Sequence, residues 1–188
     1  MDAPDLPHAV AGWRTWTVST GPGGTRLLAP VTRALWPPGE ARTAWCRYGR
    51  HDAPAVSCRC GLYAVADLTR LTRQVTRGSV VGVAALWGRV VEAEHGWRGE
   101  HGYPVVLFAE PALPERTRTR LAARYGVPVH CLPAPLEALV RGDREAVSAL
   151  AARVRDETAR APGSVAPHRE LAVADLLARI HGPECRSA

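Results

Sequence analysis

Residues 79–110, SVVGVAALWGRVVEAEHGWRGEHGYPVVLFAE, decide the fold. The first half, 79–94, is dense in Val, carries Trp87, and holds Gly82 and Gly88 in its interior, the content of a long strand bent or bulged at the glycines. Residues 95–102, rich in Gly and charge, then read as a turn into a second strand over 103–110. Gly-bent strands with few helices around them predict an α+β unit, a small, partly open β-barrel or sheet with two packed helices and a zinc loop, followed by a helical C-terminal extension.

Upstream, 15–19 and 25–31 are short β-prone runs joined by Gly21-Pro22-Gly23-Gly24, a hairpin signal longer than a two-residue turn. Pro37-Pro38-Gly39 breaks the chain before another strand candidate at 44–48. At 66–77 the period changes: Leu68, Leu71 and Val75 share one helical face, Asp67 can cap the start and Gly78 ends the run. Downstream, 114–125 reads as a helix closed by Gly126, and 127–131 as an edge strand, because Pro128 lacks a donor.

All six tryptophans fall within the first 97 residues, and no Phe, Trp or Tyr follows Tyr125. That step predicts a disordered start over 1–9, a Trp-rich domain over 10–132 and a helical extension over 133–188. In the extension, Leu136, Leu139 and Val140 precede Gly142, and Val147, Leu150 and Val154 form a stripe behind Asp143 as N-cap. After a linker at 161–164, Val173, Leu176, Leu177 and Ile180 share a face of a last helix over 168–181. Such stripes pack on the domain or on each other; a docking or homo-oligomer contact is the sharper alternative.

The 188 residues, 46% hydrophobic and 22% charged, suffice to bury a core without a disulfide framework. The net charge of +6 suggests nucleic acid, yet all 24 basic residues are Arg and none is Lys, 12 lying before residue 111 and 12 after. GC-rich codon usage accounts for much of that excess. The five cysteines are too few and too unevenly placed for a secreted scaffold, and the acidic start has no basic or apolar leader region, so a cytoplasmic protein is expected. No apolar run approaches the roughly 20 residues of a membrane span.

The most specific chemistry is Cys46-x4-His51-x6-Cys58-x-Cys60. Three thiolates and an imidazole satisfy tetrahedral zinc, and a site with four protein ligands is structural, since no position remains for an activated water. Gly49 and Pro54 let the chain double back. The Cys58-x-Cys60 spacing matches no standard finger, and it needs a backbone turn, assisted by Gly61, to bring both sulfurs to one side. Three alternatives stand beside it: metal-free thiols, an open site in which water replaces His51 with Asp52 as base, and a redox pair of Cys58 and Cys60.

Convergent rings make a pocket for a base, a cation or a small planar ligand, and Trp87, Trp97, Tyr63 and Arg89 are the candidate lining. Trp13, Trp16, Trp36 and Trp45 precede or flank the metal loop. His95, Glu100 and His101, with Glu92 and Glu94 upstream, bracket the expected turn, where solvated polar groups collect. His130 and Cys131 are adjacent on a strand and point to opposite faces, leaving Cys131 as a small core residue and Cys185 in the tail. There is no phosphate loop and no zinc-deaminase signature.

The order Gly12-Trp-Arg-x-Trp16, Trp36-Pro-Pro-Gly39, Cys46 to His51 with Ala53-Pro54, Cys58-x-Cys-Gly-Leu-Tyr-Ala64, Leu86-Trp-Gly-Arg-Val-Val-Glu92, Gly96-Trp-Arg98 and Tyr125-Gly-Val-Pro128 resembles a group of actinobacterial proteins that share a tryptophan-rich Cys/His domain. The resemblance spans about 10–131. It implies the domain boundary and a GC-rich source, and it brings no catalytic residue. The expected function is a non-enzymatic, zinc-stabilised binding module for a protein, nucleic acid or small planar ligand. The alternatives are a hydrolase-like enzyme, zinc-dependent or built on Tyr63, Glu92 and His101, and an assembly protein using the C-terminal helices.

Overall fold

The computed structural model describes residues 5–71 and 78–160. In chain order these form β1 (Asp5–Gly21), β2 (Gly24–Leu28), β3 (Leu35–Trp36), β4 (Arg42–Thr43), β5 (Leu62–Val65), a 3-10 turn (Leu68–Leu71), β6 (Ser79–Ala93), β7 (Gly96–Ala109), α1 (Glu115–Tyr125), β8 (Val129–Cys131), α2 (Leu136–Val140) and α3 (Arg144–Arg160). The architecture is one mixed sheet with few helices.

The β6–β7 hairpin is its spine, paired from Val80↔Ala109 to Ala93↔Gly96. Along the free edge of β6 runs β1, from Thr17↔Ser79 to Asp5↔Arg89, and β2 and β3 extend from β1. Along β7 lie β5, β4 and β8, the last in parallel. A single pair, Trp13↔Val65, links β5 to β1, so the sheet curls back on itself there without making a clear barrel.

Both faces of this spine are covered, which explains apolar runs in place of strict alternation. One face sets Trp13, Val81, Val83 and Phe108 against Leu71, Leu136, Leu139 and Leu150. The other sets Trp16, Val80, Leu86 and Leu107 against Trp36, Leu121 and Tyr125. Trp16 and Trp36 meet edge to face, 5.4 Å between centroids, an arrangement worth about 0.5–1.5 kcal/mol beyond burial. Helix α1 buries Thr117, Leu121 and Tyr125 at helical spacing, and Gly126, at φ 61°, donates to the Ala122 carbonyl to end it. Tyr125 Oη then accepts from Leu27 N and donates to the Trp36 carbonyl, both at 2.7 Å, fixing the helix to β2 and β3.

Several expectations change. The 95–102 turn is only Glu94-His95, and Trp97 to Gly102 are strand. Gly99 and Gly102 are there because Leu86 packs on them: a Cβ at either would lie under 3.0 Å from its side chain. The Gly21–Gly24 connection is likewise a two-residue turn. A bulge does fall at Gly88-Arg89, with Gly88 at φ 71°, whereas Gly82 pairs in regular register with Leu107. The strand expected at 44–48 is displaced to β4, and residues 44–48 enter the cysteine loop. Strand β1 begins at Asp5, so residues 5–9 are not a loose start.

Of the helix expected at 66–77, only the 3-10 turn lies within the described residues, with Asp67 Oδ1 accepting from Thr69 N at 2.9 Å. Asp143 does cap α3, its Oδ1 accepting from Ala146 N at 3.1 Å. Leu136, Leu139, Ala146 and Leu150 are buried in the core of the sheet, so this part of the extension packs on the domain. The last helix at 168–181 and Cys185 lie outside the described residues. Cys131 is exposed, not core, because β8 turns His130 toward Phe108, 5.8 Å between rings.

A Cβ at Gly82 would lie 2.2 Å from the Val106 carbonyl oxygen, in the centre of the spine. Gly82→Ala is expected to lower stability by about 1–3 kcal/mol. Gly21→Ala, with nothing within 4 Å, should stay within about 0.5 kcal/mol; urea denaturation of both variants checks the contrast.

Candidate metal centre

Between β4 and β5 the chain carries Cys46, His51, Cys58 and Cys60, and their ligand atoms all lie within 4.8 Å of one another. Cys46 Sγ and Cys58 Sγ are 3.7 Å apart, and His51 Nε2 is 3.3 Å from Cys60 Sγ. Zn–S bonds of about 2.3 Å at tetrahedral angles put sulfurs about 3.8 Å apart, so these distances suit a metal without rebuilding the loop. The soft donor set is likewise consistent with zinc. All three thiols are free.

Local chain geometry makes the irregular spacing work. Bends across 56–59 and Gly61 at φ 126° bring Cys58 and Cys60 to the same side. A Cβ on Gly61 would lie 2.9 Å from Arg98 Cβ, and one on Gly49 would lie 2.9 Å from His51 Nδ1, so both positions need glycine for close approach. Electrostatics split the close pair. A hydrogen bond from the Cys60 backbone, joined by side-chain bonds from Cys46, Cys60 and His51, lowers the Cys58 thiol from 9.0 to about 7. Burial raises that of Cys60.

Two devices tie this loop to the sheet. Arg98, on β7 and 8% exposed, donates from Nη1 to the carbonyls of Ala55, Cys58 and Cys60. Arg89, at the β6 bulge, makes a bidentate pair with Glu100 at 3.0 and 3.1 Å and reaches Asp52 at 3.3 Å. Glu100 is held below its usual 4.5, first by the Arg89 hydrogen bond. Asp52 is thus a partner of Arg89 on an exposed loop.

The four residues expected to line a pocket do not converge. Trp97 is buried in the core, Arg89 is engaged by carboxylates, and Trp87 packs beside His101, 6.1 Å between rings. Tyr63 alone of the four borders an open cleft of about 530 Å³, one wall of which is the metal loop. Nor do Tyr63, Glu92 and His101 form a unit. Tyr63 pairs with Arg98 and Glu92 with its neighbour Trp97, on alternate faces of the sheet, while His101 Nδ1 contacts Thr43 Oγ1 at 3.2 Å. His95 sits exposed at the hairpin turn, 3.5 Å from Glu94.

Arg98 and Arg14 join the site residues, and the sequence carries a signal for them: Gly-Trp-Arg occurs twice, at 12–14 and 96–98. In each copy the Arg is buried and donates to backbone carbonyls, Arg14 to that of Tyr63. No family model, curated protein or solved structure matches this chain. The functional reading therefore rests on the geometry.

Arg98→Met leaves all four ligands in place and removes the loop's carbonyl donor, so metal affinity should fall about 10–100-fold in a chelator competition titration. Glu100→Gln tests the second tie. A carboxyl held below 4.5 contributes stability that is present above that pH and lost as pH falls through its lowered value. The variant should therefore show a flatter acid limb of melting temperature against pH.

Proposed function

We propose that this protein is a non-enzymatic binding module whose recognition surface is organised by a structural zinc ion. The observation that carries the reading is the closed donor set: Cys46, His51, Cys58 and Cys60 within 4.8 Å. When bound, zinc supplies cross-linking of a loop that has little secondary structure of its own. Three thiolates and one imidazole complete a tetrahedron, which leaves no coordination position for a reacting water. Cys60 and the neighbours of Cys46, Trp45 and Arg47, belong to the wall of the cleft, so holding the two cysteines also holds that wall. The scattered positions of Tyr63, Glu92 and His101 favour binding over hydrolysis.

No helix of the described residues is long and apolar enough to cross a membrane. Burial of Ala146 and Leu150 against the sheet supports an extension that docks on its own domain rather than on a second copy.

Metal analysis of the purified full chain should return about one zinc per molecule, and a strong chelator should lower the melting temperature sharply. Cys60→Ser should lose the zinc and reproduce the chelated state. A protein that is metal-free as isolated and indifferent to chelator would overturn the zinc reading.

A further inference from the structure

The cleft beside the metal loop has an unusual lining. Arg14, Arg42, Arg47 and Arg59 face it, and no Asp or Glu does among the described residues. Four cations around one opening with no counter-ion repel one another, and such an arrangement is relieved by an anion.

Arg14 is the decisive member. It is 9% exposed and lies over Trp36, 4.7 Å from Cζ to the ring centroid, and 6.0 Å from Trp16. Its Nη1 donates to the Tyr63 carbonyl, its Nε has no hydrogen-bond partner, and no carboxylate pairs with it among the described residues. A buried cation without a charge partner is costly, and loss of water together with the nearby Arg42 charge pulls this guanidinium below its usual value, to about 10. Its bond to the Tyr63 carbonyl and its place over Trp36 supply no full negative charge to balance it.

The rim supplies a second kind of contact. Trp45 and Tyr48 are 66% and 70% exposed, the Arg47 guanidinium sits 4.8 Å from the Tyr48 ring, and both aromatic residues line the cleft. Exposed rings flanked by arginines are stacking platforms for planar groups, and guanidinium forks match phosphate oxygens. The volume of about 530 Å³ falls within the range of small-molecule sites, about 300–1,000 Å³.

We infer that this cleft binds a nucleotide unit, with phosphate on Arg14 and Arg42 and the base stacked on Trp45 or Tyr48. The inference rests on the binding-module reading and names its ligand class. The unit can come from a free mononucleotide or from a single strand, and the chemistry of recognition is the same.

Calorimetry on the zinc-loaded full chain tests this with adenosine, adenosine 5′-monophosphate, inorganic phosphate and a single-stranded decamer of deoxyadenylate, in about 50 mM salt. The monophosphate should bind at least about tenfold more tightly than adenosine or phosphate, and more weakly as salt rises. Arg42→Ala and Arg14→Met should each weaken it about tenfold or more at unchanged zinc content; if Arg14→Met does not fold, Arg42→Ala decides. Trp45→Ala should weaken the monophosphate several-fold and leave phosphate binding unchanged. A decamer that binds about 100-fold more tightly identifies a strand as the source, and equal affinity per site identifies the free nucleotide. Adenosine binding as well as its monophosphate, no binding of either the monophosphate or the decamer, or wild-type affinity in Arg42→Ala would each overturn the inference. A metal-free protein that still binds the monophosphate would remove the zinc reading and leave this one standing.

Discussion

The ladder between β6 and β7 is the constraint on which the other elements depend. Strand β1 needs the edge of β6, and β4, β5 and β8 need that of β7. The ladder also positions the site. Its bulge at Gly88-Arg89 turns the arginine to Glu100 and Asp52, and Arg98, opposite Val91, spans to three carbonyls of the cysteine loop. A loop with almost no secondary structure and two exposed rings, Trp45 and Tyr48, is placed by charge-assisted hydrogen bonds from a rigid strand, rather than by a core of its own.

The two Gly-Trp-Arg triplets converge on one short strand. Trp13 pairs with Val65 and Trp97 with Ala64, while Cβ atoms on Gly12 or Gly96 would collide with Ala64. Each glycine allows close approach, each tryptophan fills a core, and the arginines satisfy backbone carbonyls, Arg98 those of the cysteine loop and Arg14 that of Tyr63 on β5. Strand β5 is thereby held between β1 and β7 at the point where the sheet curls. The metal cluster lies just before it in the chain, so sheet closure and site geometry are one structural problem.

Legibility from sequence was uneven for physical reasons. The ligands Cys46, His51, Cys58 and Cys60 were readable because they lie close in the chain and their chemistry is rare among residues. The cleft was not, because Arg14, on β1, reaches the loop only through tertiary packing. Arg89 and Trp97 invited a pocket reading as residue types, and their surroundings assigned them to an ion-pair tie and a core. The glycines of 95–102 read as a turn because glycine serves turns and close approach alike; only Leu86 packing against Gly99 and Gly102 distinguishes the two.

The sequence by itself determined the long Val-rich strands, helix α1 with its Gly126 stop, the Asp143 cap and the identity of the donor set. Each of these depends on residue type and short-range spacing, which act within a few residues of chain. Tertiary structure alone decided the two-residue hairpin turn, the exposure of Cys131, the place of Trp97 in the core, and the arginine-lined cleft beside the metal loop. Those outcomes are set by which surfaces meet across the sheet, and contacts between residues far apart in the chain leave no local periodicity to read.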